Sequence, residues 1–262
     1  MPILLPPSER KRPGGTGQPR SRRPDRSGLA AARADVQAAL ADLLQDPEAA
    51  GAALLLPAAV RDHALSVTAQ VGTSRTMPAL RRYAGVVYDG LDAPSLSSAA
   101  TSLAKRELLI FSGLFGVVTG AEMVPDYRVP AAARLPGLGS AATFWRPHLR
   151  EYLGQRLTRQ SLILDLRSAD YATMWRPEPS LAPAVVSVRF LSDTPTGPRV
   201  VSYHSKLAKG RLARAVLEAG AAGQPVTTAA EVVELWQATS GQLGEIVAPR
   251  RGGVTQLRLP TG

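Results

Sequence analysis

The sequence predicts an α/β fold built on a mixed sheet. Three observations predict it. Short, almost continuously apolar runs, best seen in Ser161–Leu166, read as strands buried on both faces. Ala- and Leu-rich stretches with apolar residues at helical spacing separate these runs. Two strand-like pairs joined by turn residues follow near the C-terminus and add antiparallel pairing. The 262 residues suit one large domain or two small ones, and a hydrophobic content of 45% leaves ample chain for a core.

In chain order, Pro2-Ile3-Leu4-Leu5 is a short buried strand stopped by Pro6-Pro7, which cannot donate to a ladder. The stretch from Glu9 to Gly28 is rich in Gly, Pro and Arg, has no apolar period, and is expected to be a flexible basic surface loop. Leu29–Leu44 is a helix stopped at Asp46-Pro47, and Leu54–Val60 is ambiguous. Val60–Val71 and Met77–Tyr83 are helical, with Gly72-Thr73-Ser74 between them. Val86-Val87-Tyr88 reads as a short extended piece ending in the turn dipeptide Asp89-Gly90. A helix starts at Ser95–Ser98 and runs to about Arg106, followed by the strand Leu108–Phe111.

Ser112-Gly113-Leu114-Phe115-Gly116 places glycines where a tight turn or a close approach is needed, either for packing or for a phosphate. Pro125–Arg128 is a loop presenting a phenol and a guanidinium side by side. Thr143–Leu157 is a helix with Phe144, Trp145, Leu149 and Leu153 toward the core and Pro147 in its first turn. Ser161–Leu166 is the central strand. Asp165 lies at its C-terminal end, where ligands sit in open α/β sheets. Val185–Leu191 is the next strand, Thr194–Pro198 a turn, and Arg199–Tyr203 its antiparallel partner. Thr227–Ala238 is a helix capped by Thr227 or Thr228. Glu245–Val247 and Val254–Leu259 form a last hairpin around Arg250-Arg251-Gly252-Gly253.

The formal net charge is +10 and the pI about 10.6, which favours an anionic partner: nucleic acid, nucleotide or an acidic membrane surface. Half of that excess lies in Glu9–Arg26, which holds seven Lys/Arg against two acids. With no cysteine, disulfides, thiolate nucleophiles and Cys-ligated metals are excluded. His63, His148 and His204 have no metal-ligand spacing. The apolar opening is too short for a secretory signal. The longest apolar run, Ala49–Val60, is too short to span a bilayer, so a cytoplasmic protein is expected.

The basic stretch Arg199–Gly220 organises the functional reading. It passes from strand into helix near His204 or Ser205. Ala208, Leu212, Ala215 and Val216 fall on one side, Lys206, Arg211 and Arg214 on the other, and Lys209 at the margin. Cations on the first turns of a helix suit phosphate, with a solvated basic face as the alternative. There is no Walker A, GxGxxG or GxSxG pattern. Asp89, Asp165 and Asp170 could bind Mg²⁺ only if the fold gathers them; otherwise they are ion-paired structural carboxylates. His204, Ser205 and Asp165 could form a nucleophilic set, but no spacing rule supports it.

The ordered set of motifs resembles the YaaA-type peroxide stress proteins, in their actinobacterial branch. The resemblance lies in LLPPSERK, Val86–Leu91, Phe111–Gly116, Pro125–Arg128 with Arg134, Phe144-Trp145, Leu162–Leu166 with Ser168 and Tyr171, and Val201–Tyr203 leading to Lys206, Lys209-Gly210 and Arg214. It covers nearly the whole chain. It implies a single α/β domain of unusual topology with a basic cleft, and a cytoplasmic protein that binds DNA and limits oxidative DNA damage and free iron. A helix–hairpin–helix-like element is also implied, without a place in this chain. The positions that match are Ser8, Lys11, Tyr88, Ser112, Tyr127, Arg128, Arg134, Ser168, Tyr171, Lys206, Lys209 and Arg214. The chain departs from the pattern at Pro-Ser-Glu-Arg-Lys in place of Ser-Pro-Ala-Lys, at Val129-Pro130 where an acid is common, and at Lys206-Leu207 in place of tandem lysines.

The leading expectation is therefore a DNA-binding protein of the peroxide response. Lys206, Lys209, Arg211 and Arg214 neutralise phosphates, with Lys11, Arg128 and Arg134 at the cleft and Tyr127 or Tyr171 on sugar or base. Duplex or branched DNA is the expected partner, with little sequence preference; no membrane, metal or cofactor is expected. The rival is an enzyme on a nucleotide or small phosphorylated substrate, with Ser112, Asp165 and Ser168 lining its pocket. A closed cavity favours the enzyme, and an open basic groove of duplex width favours DNA. A peroxidase or an iron store fits poorly.

Overall fold

The computed structural model describes residues 1–22, 25, 27–195, 197–249 and 253–261. In chain order its elements are β1 (Ile3–Leu5), α1 (Ala30–Leu43), α2 (Pro47–Ala53), α3 (Arg61–Ala69), β2 (Met77–Pro78), α4 (Ala79–Arg82), α5 (Val86–Leu91), α6 (Ser98–Glu107), β3 (Leu108–Ser112), β4 (Gly116–Thr119), β5 (Met123–Val124), β6 (Arg134–Leu135) and β7 (Gly139–Ser140). There follow α7 (Ala141–Leu157), β8 (Ile163–Asp165), α8 (Ala169–Ala172), β9 (Val185–Leu191), α9 (Ser202–Ala221), α10 (Ala229–Ser240), β10 (Glu245–Val247) and β11 (Thr255–Pro260).

The main sheet is mixed, in the order β10-β11-β9-β8-β1-β3-β4. The inner strands β11, β9, β8, β1 and β3 run parallel, and β4 and β10 close the two edges antiparallel. This is why Ile3, Leu4, Leu5, Ile163 and Leu164 are apolar without alternation: helices cover both faces, and each of these side chains is fully buried. β8 is the central strand, as its composition requires. The chain goes from β1 to β3 on one side and returns to β8 on the other, so the strand order reverses at β1. The C-terminal ends of strands at such a reversal leave a crevice.

Local chemistry sets most boundaries. Ser97 caps α6 through its Oγ to the Ala100 N–H, 3.1 Å. Thr228 and Glu231 form a capping box on α10. Ser140 caps α7 by accepting from the Thr143 N–H at 3.1 Å, so that helix starts at Ala141 and Pro147 lies inside it rather than in its first turn. In the turn between β3 and β4, a Cβ on Gly113 would sit 2.4 Å from the Val129 carbonyl oxygen. The Gly113 carbonyl accepts from Trp145 Nε1 at 2.8 Å, so packing holds this glycine.

Two further expectations, on secondary structure, are corrected. Val86–Tyr88 is not extended but opens α5. That helix is short, and its stability comes from lying across α9, where Gly90 meets the Leu207 carbonyl and Gly210 meets the Val87 carbonyl. Arg199–Tyr203 is not a strand partner of β9. Only a Ser192–Arg199 bridge forms, helix α9 begins at Ser202, and the neighbour of β9 is the parallel β11. A buried apolar strand gains more by pairing along six positions with β11 than with a polar segment beside a turn.

Residues 9–22, expected as a flexible loop, are tied to the body by backbone bridges from Lys11 to Tyr83 and from Gly17 to Thr76. The buried Arg82 guanidinium donates to the carbonyls of Arg12, Gly14, Arg75 and Val124. Arg33, also buried, donates to the Phe115 and Val117 carbonyls and pairs with Asp25 (2.9 Å) and Glu122 (2.6 Å). Arg23, Pro24 and Arg26 of the same stretch lie outside the described residues, as do Arg250, Arg251 and Gly252 at the turn expected between β10 and β11. Among the described residues no helix is long and apolar enough to cross a membrane.

Candidate functional site

The crevice at the end of β1 is a cavity of about 230 Å³, lined among others by Ser8, Lys11, Tyr127, Arg128, Asp170 and Tyr171. The Pro6-Pro7 pair that stops β1 turns the chain so that Ser8–Lys11 form one wall. Ser8 is fixed there: its Oγ accepts from the Ala84 N–H (3.1 Å) and donates to the Arg10 carbonyl (2.5 Å). The loop after β5 supplies Tyr127 and Arg128, and α8 supplies Asp170 and Tyr171. Five of the residues expected to cooperate, Ser8, Lys11, Tyr127, Arg128 and Tyr171, are brought together here.

Tyr127 and Arg128 do not stand side by side in solvent. Tyr127 points inward, 2% exposed, with its hydroxyl 2.5 Å from that of Tyr83 and 2.6 Å from Ser112 Oγ. Ser112 Oγ also accepts from the Leu114 and Phe115 N–H groups, so its own proton goes to Tyr127 and orders the chain of hydroxyls. Tyr88 lies behind, stacked on Tyr83 at 5.5 Å and donating to the Pro6 carbonyl at 2.8 Å. Burial raises the Tyr83 and Tyr88 phenols well above their usual value and pushes Tyr127 up to about 12. All three are neutral at physiological pH.

Lys11 Nζ rests 4.1 Å from the centroid of the Tyr127 ring and donates to the Ser8 carbonyl at 3.1 Å. Burial lowers its pKa to about 7; Asp126 pulls it upward, Arg128 and Arg82 push it down, and Glu9 raises it again. Because the folded value lies below the ordinary 10.5, the unfolded chain binds more protons between about 7 and 10.5, and stability rises with pH across that window. Lys11→Met is expected to need more urea than the wild type to unfold at neutral pH and to lose that advantage as pH approaches 10.5. The same gap at both pH values would show that Lys11 is not held in this way.

The Arg128 guanidinium pairs with Glu9 at 2.6 Å, and the Glu9 side chain is 74% exposed. The Arg128 N–H is held by Thr68 Oγ1 at 3.0 Å, which fixes the loop against α3.

Asp165 and Lys209 belong to a second, buried cluster beneath the cavity, around Arg167. Arg167 donates from Nε and Nη2 to Asp165 (2.9 and 2.6 Å) and from Nη1 to the Tyr171 and Trp175 carbonyls, and it stacks on Phe111 at 4.4 Å. Burial raises the Asp165 carboxyl, but the Arg167 charge and hydrogen bonds outweigh it and hold the pKa below the usual value. Lys209 donates to the Arg167 carbonyl at 2.8 Å, and burial lowers its pKa to about 8. It faces the core, not the margin of α9.

The remaining positions do not converge on the cavity. Lys206 and Arg211 are exposed on α9. Arg214 donates to Leu91, Asp92 and Ser95 carbonyls and pairs with Glu218, pinning the loop after α5. Arg134 is exposed on a neighbouring depression that shares Ala131, Ala132 and Asp170 with the cavity. Ser168 precedes α8 and makes no cap. Asp89 sits 3.7 Å from Arg10, Asp165 is bound to Arg167 and His204 lies 3.4 Å from Ser192, so neither the three aspartates nor a Ser-His-Asp set assembles. Sequence reasoning missed Tyr83, Arg82, Glu9 and Arg167. Only Arg167 left a signal, a cation two residues beyond the aspartate that ends the central strand.

The comparisons agree with this arrangement of motifs. The model of the family described as peroxide stress protein YaaA matches residues 1–232. A UPF0246 protein of Streptomyces coelicolor is 40% identical over 181 residues, covering 69% of this chain and 67% of that protein. A UPF0246 protein of Corynebacterium efficiens is 35% identical over 241 residues, covering 90% of this chain and 91% of that one. One from Corynebacterium glutamicum is 36% identical over 219 residues, covering 82% and 84%. With a family match running through every element that builds the cavity, the chain belongs to the peroxide stress protein YaaA family.

Proposed function

We propose that this protein serves the peroxide response in the cytoplasm by binding DNA with little sequence preference, and so limits oxidative DNA damage. The observation that carries the reading is the pair Lys206 and Arg211, exposed on α9 and without an ion-pair partner among the described residues. Arg10 lies on the adjoining surface: it is 3.7 Å from Asp89 of α5, the helix that α9 crosses beside Arg211. Together with the net charge of +10, these cations suit contact with phosphates, which positions a protein on DNA without reading bases. Lys209 and Arg214, each held by carbonyls of its own chain, act as supports of α9 rather than as phosphate ligands. Any effect on free iron is indirect on this reading.

Fluorescence anisotropy of labelled duplex, single-stranded and branched DNA across a salt series tests it. Lys206→Ala with Arg211→Ala is expected to weaken binding to every DNA alike and to reduce the log–log salt slope by about 2. An unchanged slope would remove these residues from the interface, and absence of binding at low salt would overturn the reading. A second reading, a site for a small phosphorylated or otherwise anionic ligand, is favoured by the cavity itself, which has the volume of a small molecule and holds Lys11 and Arg128.

A further inference from the structure

We propose that the cavity at the end of β1 takes a small aldehyde or ketone carrying an acid group, and that Lys11 Nζ holds it covalently as an imine. This rests on the small-ligand reading of the cavity and not on DNA binding.

The cavity wall presents an amine in an unusual setting. Lys11 Nζ has one hydrogen-bond partner, the Ser8 carbonyl at 3.1 Å, and lies over the faces of Tyr127 and Tyr83. Among the described residues it has no ion-pair partner, and Glu9, the nearest carboxylate in sequence, is engaged by Arg128 at 2.6 Å. The charged groups that act on it are Asp126 and Glu9 on one side and Arg128 and Arg82 on the other, so the cations offset the acids. The phenols around it stay neutral and give no phenolate to keep an ammonium charged. Lys11 is half-buried, and loss of solvation brings its pKa down to about 7, so a large share of the amine is neutral at neutral pH and its lone pair is free for a carbonyl carbon.

The step balances without an oxidant or a metal. The amine adds to the carbonyl, the carbinolamine loses water, and the C–N double bond forms as the C–O bond breaks; the water carries off the carbonyl oxygen and the amine's two protons. The acid group has its own place. Arg128 lines the same cavity, and its partner Glu9 is held at only one end and mostly in solvent, so an incoming carboxylate or phosphate can take the place of the Glu9 carboxylate on the guanidinium. Burial and carbonyl contacts put Lys209, whose pKa is also lowered, beneath the sheet end and off the cavity lining.

The sequence makes the test selective, because the side-chain amines are those of Lys11, Lys105, Lys206 and Lys209. Full-length protein is incubated at neutral pH with glyoxylate and cyanoborohydride, which reduces the imine to carboxymethyl-lysine, and is then digested and mapped. Lys11 is expected to label at least about tenfold faster than Lys105 or Lys206, following the lowering of its own pKa to about 7. Relative to Lys105 in the same digest, acetaldehyde, which lacks the acid group, is expected to favour Lys11 less than glyoxylate does, and Arg128→Ala to erase that difference in preference. Labelling spread evenly over the lysines, or led by Lys209, would overturn the imine. An equal preference for Lys11 with the two aldehydes would overturn the acid-group site. The wild-type map decides the first point without any Lys11 variant. The reaction is read without DNA, so its failure and the failure of DNA binding are distinct results.

Discussion

Gly210→Ala is expected to lower the unfolding free energy by about 3 kcal/mol or more, the upper end for overpacking a close contact. The added Cβ would lie 1.9 Å from the Val87 carbonyl oxygen, 2.6 Å from the Leu91 nitrogen and 2.8 Å from the Gly90 carbonyl carbon. All three are backbone atoms of α5, so no side chain can rotate out of the way. The helices must part, and close-packed interiors do not absorb such a shift cheaply. Gly90 is under the same constraint from the Leu207 carbonyl at 2.3 Å, which makes the crossing a reciprocal glycine contact. Gly154→Ala in α7 is the control: nothing lies within 4 Å of its added Cβ, and alanine there is expected to stabilise the helix by about 0.5–1 kcal/mol. Urea unfolding followed by circular dichroism reads both. If Gly210→Ala is as stable as wild type, the crossing is not as close as described. On the DNA-binding reading, parting α5 from α9 also disturbs the helix that carries Lys206 and Arg211, so the variant is expected to weaken DNA binding beyond what its folded fraction explains.

Arg167→Met is the second large effect, with an expected loss of about 3–5 kcal/mol, the cost of leaving a buried charge without its partner. It strands Asp165, removes the donors to the Tyr171 and Trp175 carbonyls, and takes the guanidinium off the Phe111 ring. Pairing Arg167→Met with Asp165→Leu is expected to cost less than the sum of the two single changes, because the orphaned charge is then gone. The two losses adding without interaction would show that Asp165 and Arg167 do not act as a unit. The pH dependence has a defined sign. The folded-state pKa of Asp165 is depressed, so its contribution is fully present above the ordinary carboxylate value and is lost as pH falls through the folded value. Asp165→Asn is expected to flatten the acid limb of the stability curve. Tyr171 also hangs on this cluster through its carbonyl, so Arg167→Met is expected to slow imine trapping at Lys11 even in the fraction that remains folded.

Much of the fold was legible because its signals are local or depend on composition. The apolar runs of β1, β3 and β8 have no polar alternation, which only strands covered on both faces need. Ser97 and Thr228 carry caps within their own turn, and the β10–β11 hairpin is built from neighbours in sequence. The gathering of Ser8, Lys11, Tyr127, Arg128 and Tyr171 was legible only as an ordered family pattern, since no local rule links residues so far apart. Val86–Leu91 was illegible: its β-branched start favours extension, and its helix exists because α9 lies against it.

What the sequence determined by itself is the sheet's apolar centre, the helix ends and the excess of cations over acids. What the tertiary structure decided is the work each cation does. Arg33, Arg82, Arg167, Lys209 and Arg214 all count toward the same net charge as Lys206 and Arg211, yet they serve carbonyls and carboxylates of their own chain. Charge is a property of the residue, but solvation and pairing belong to the place the fold gives it. Desolvation makes Lys11 a candidate amine rather than one more phosphate contact.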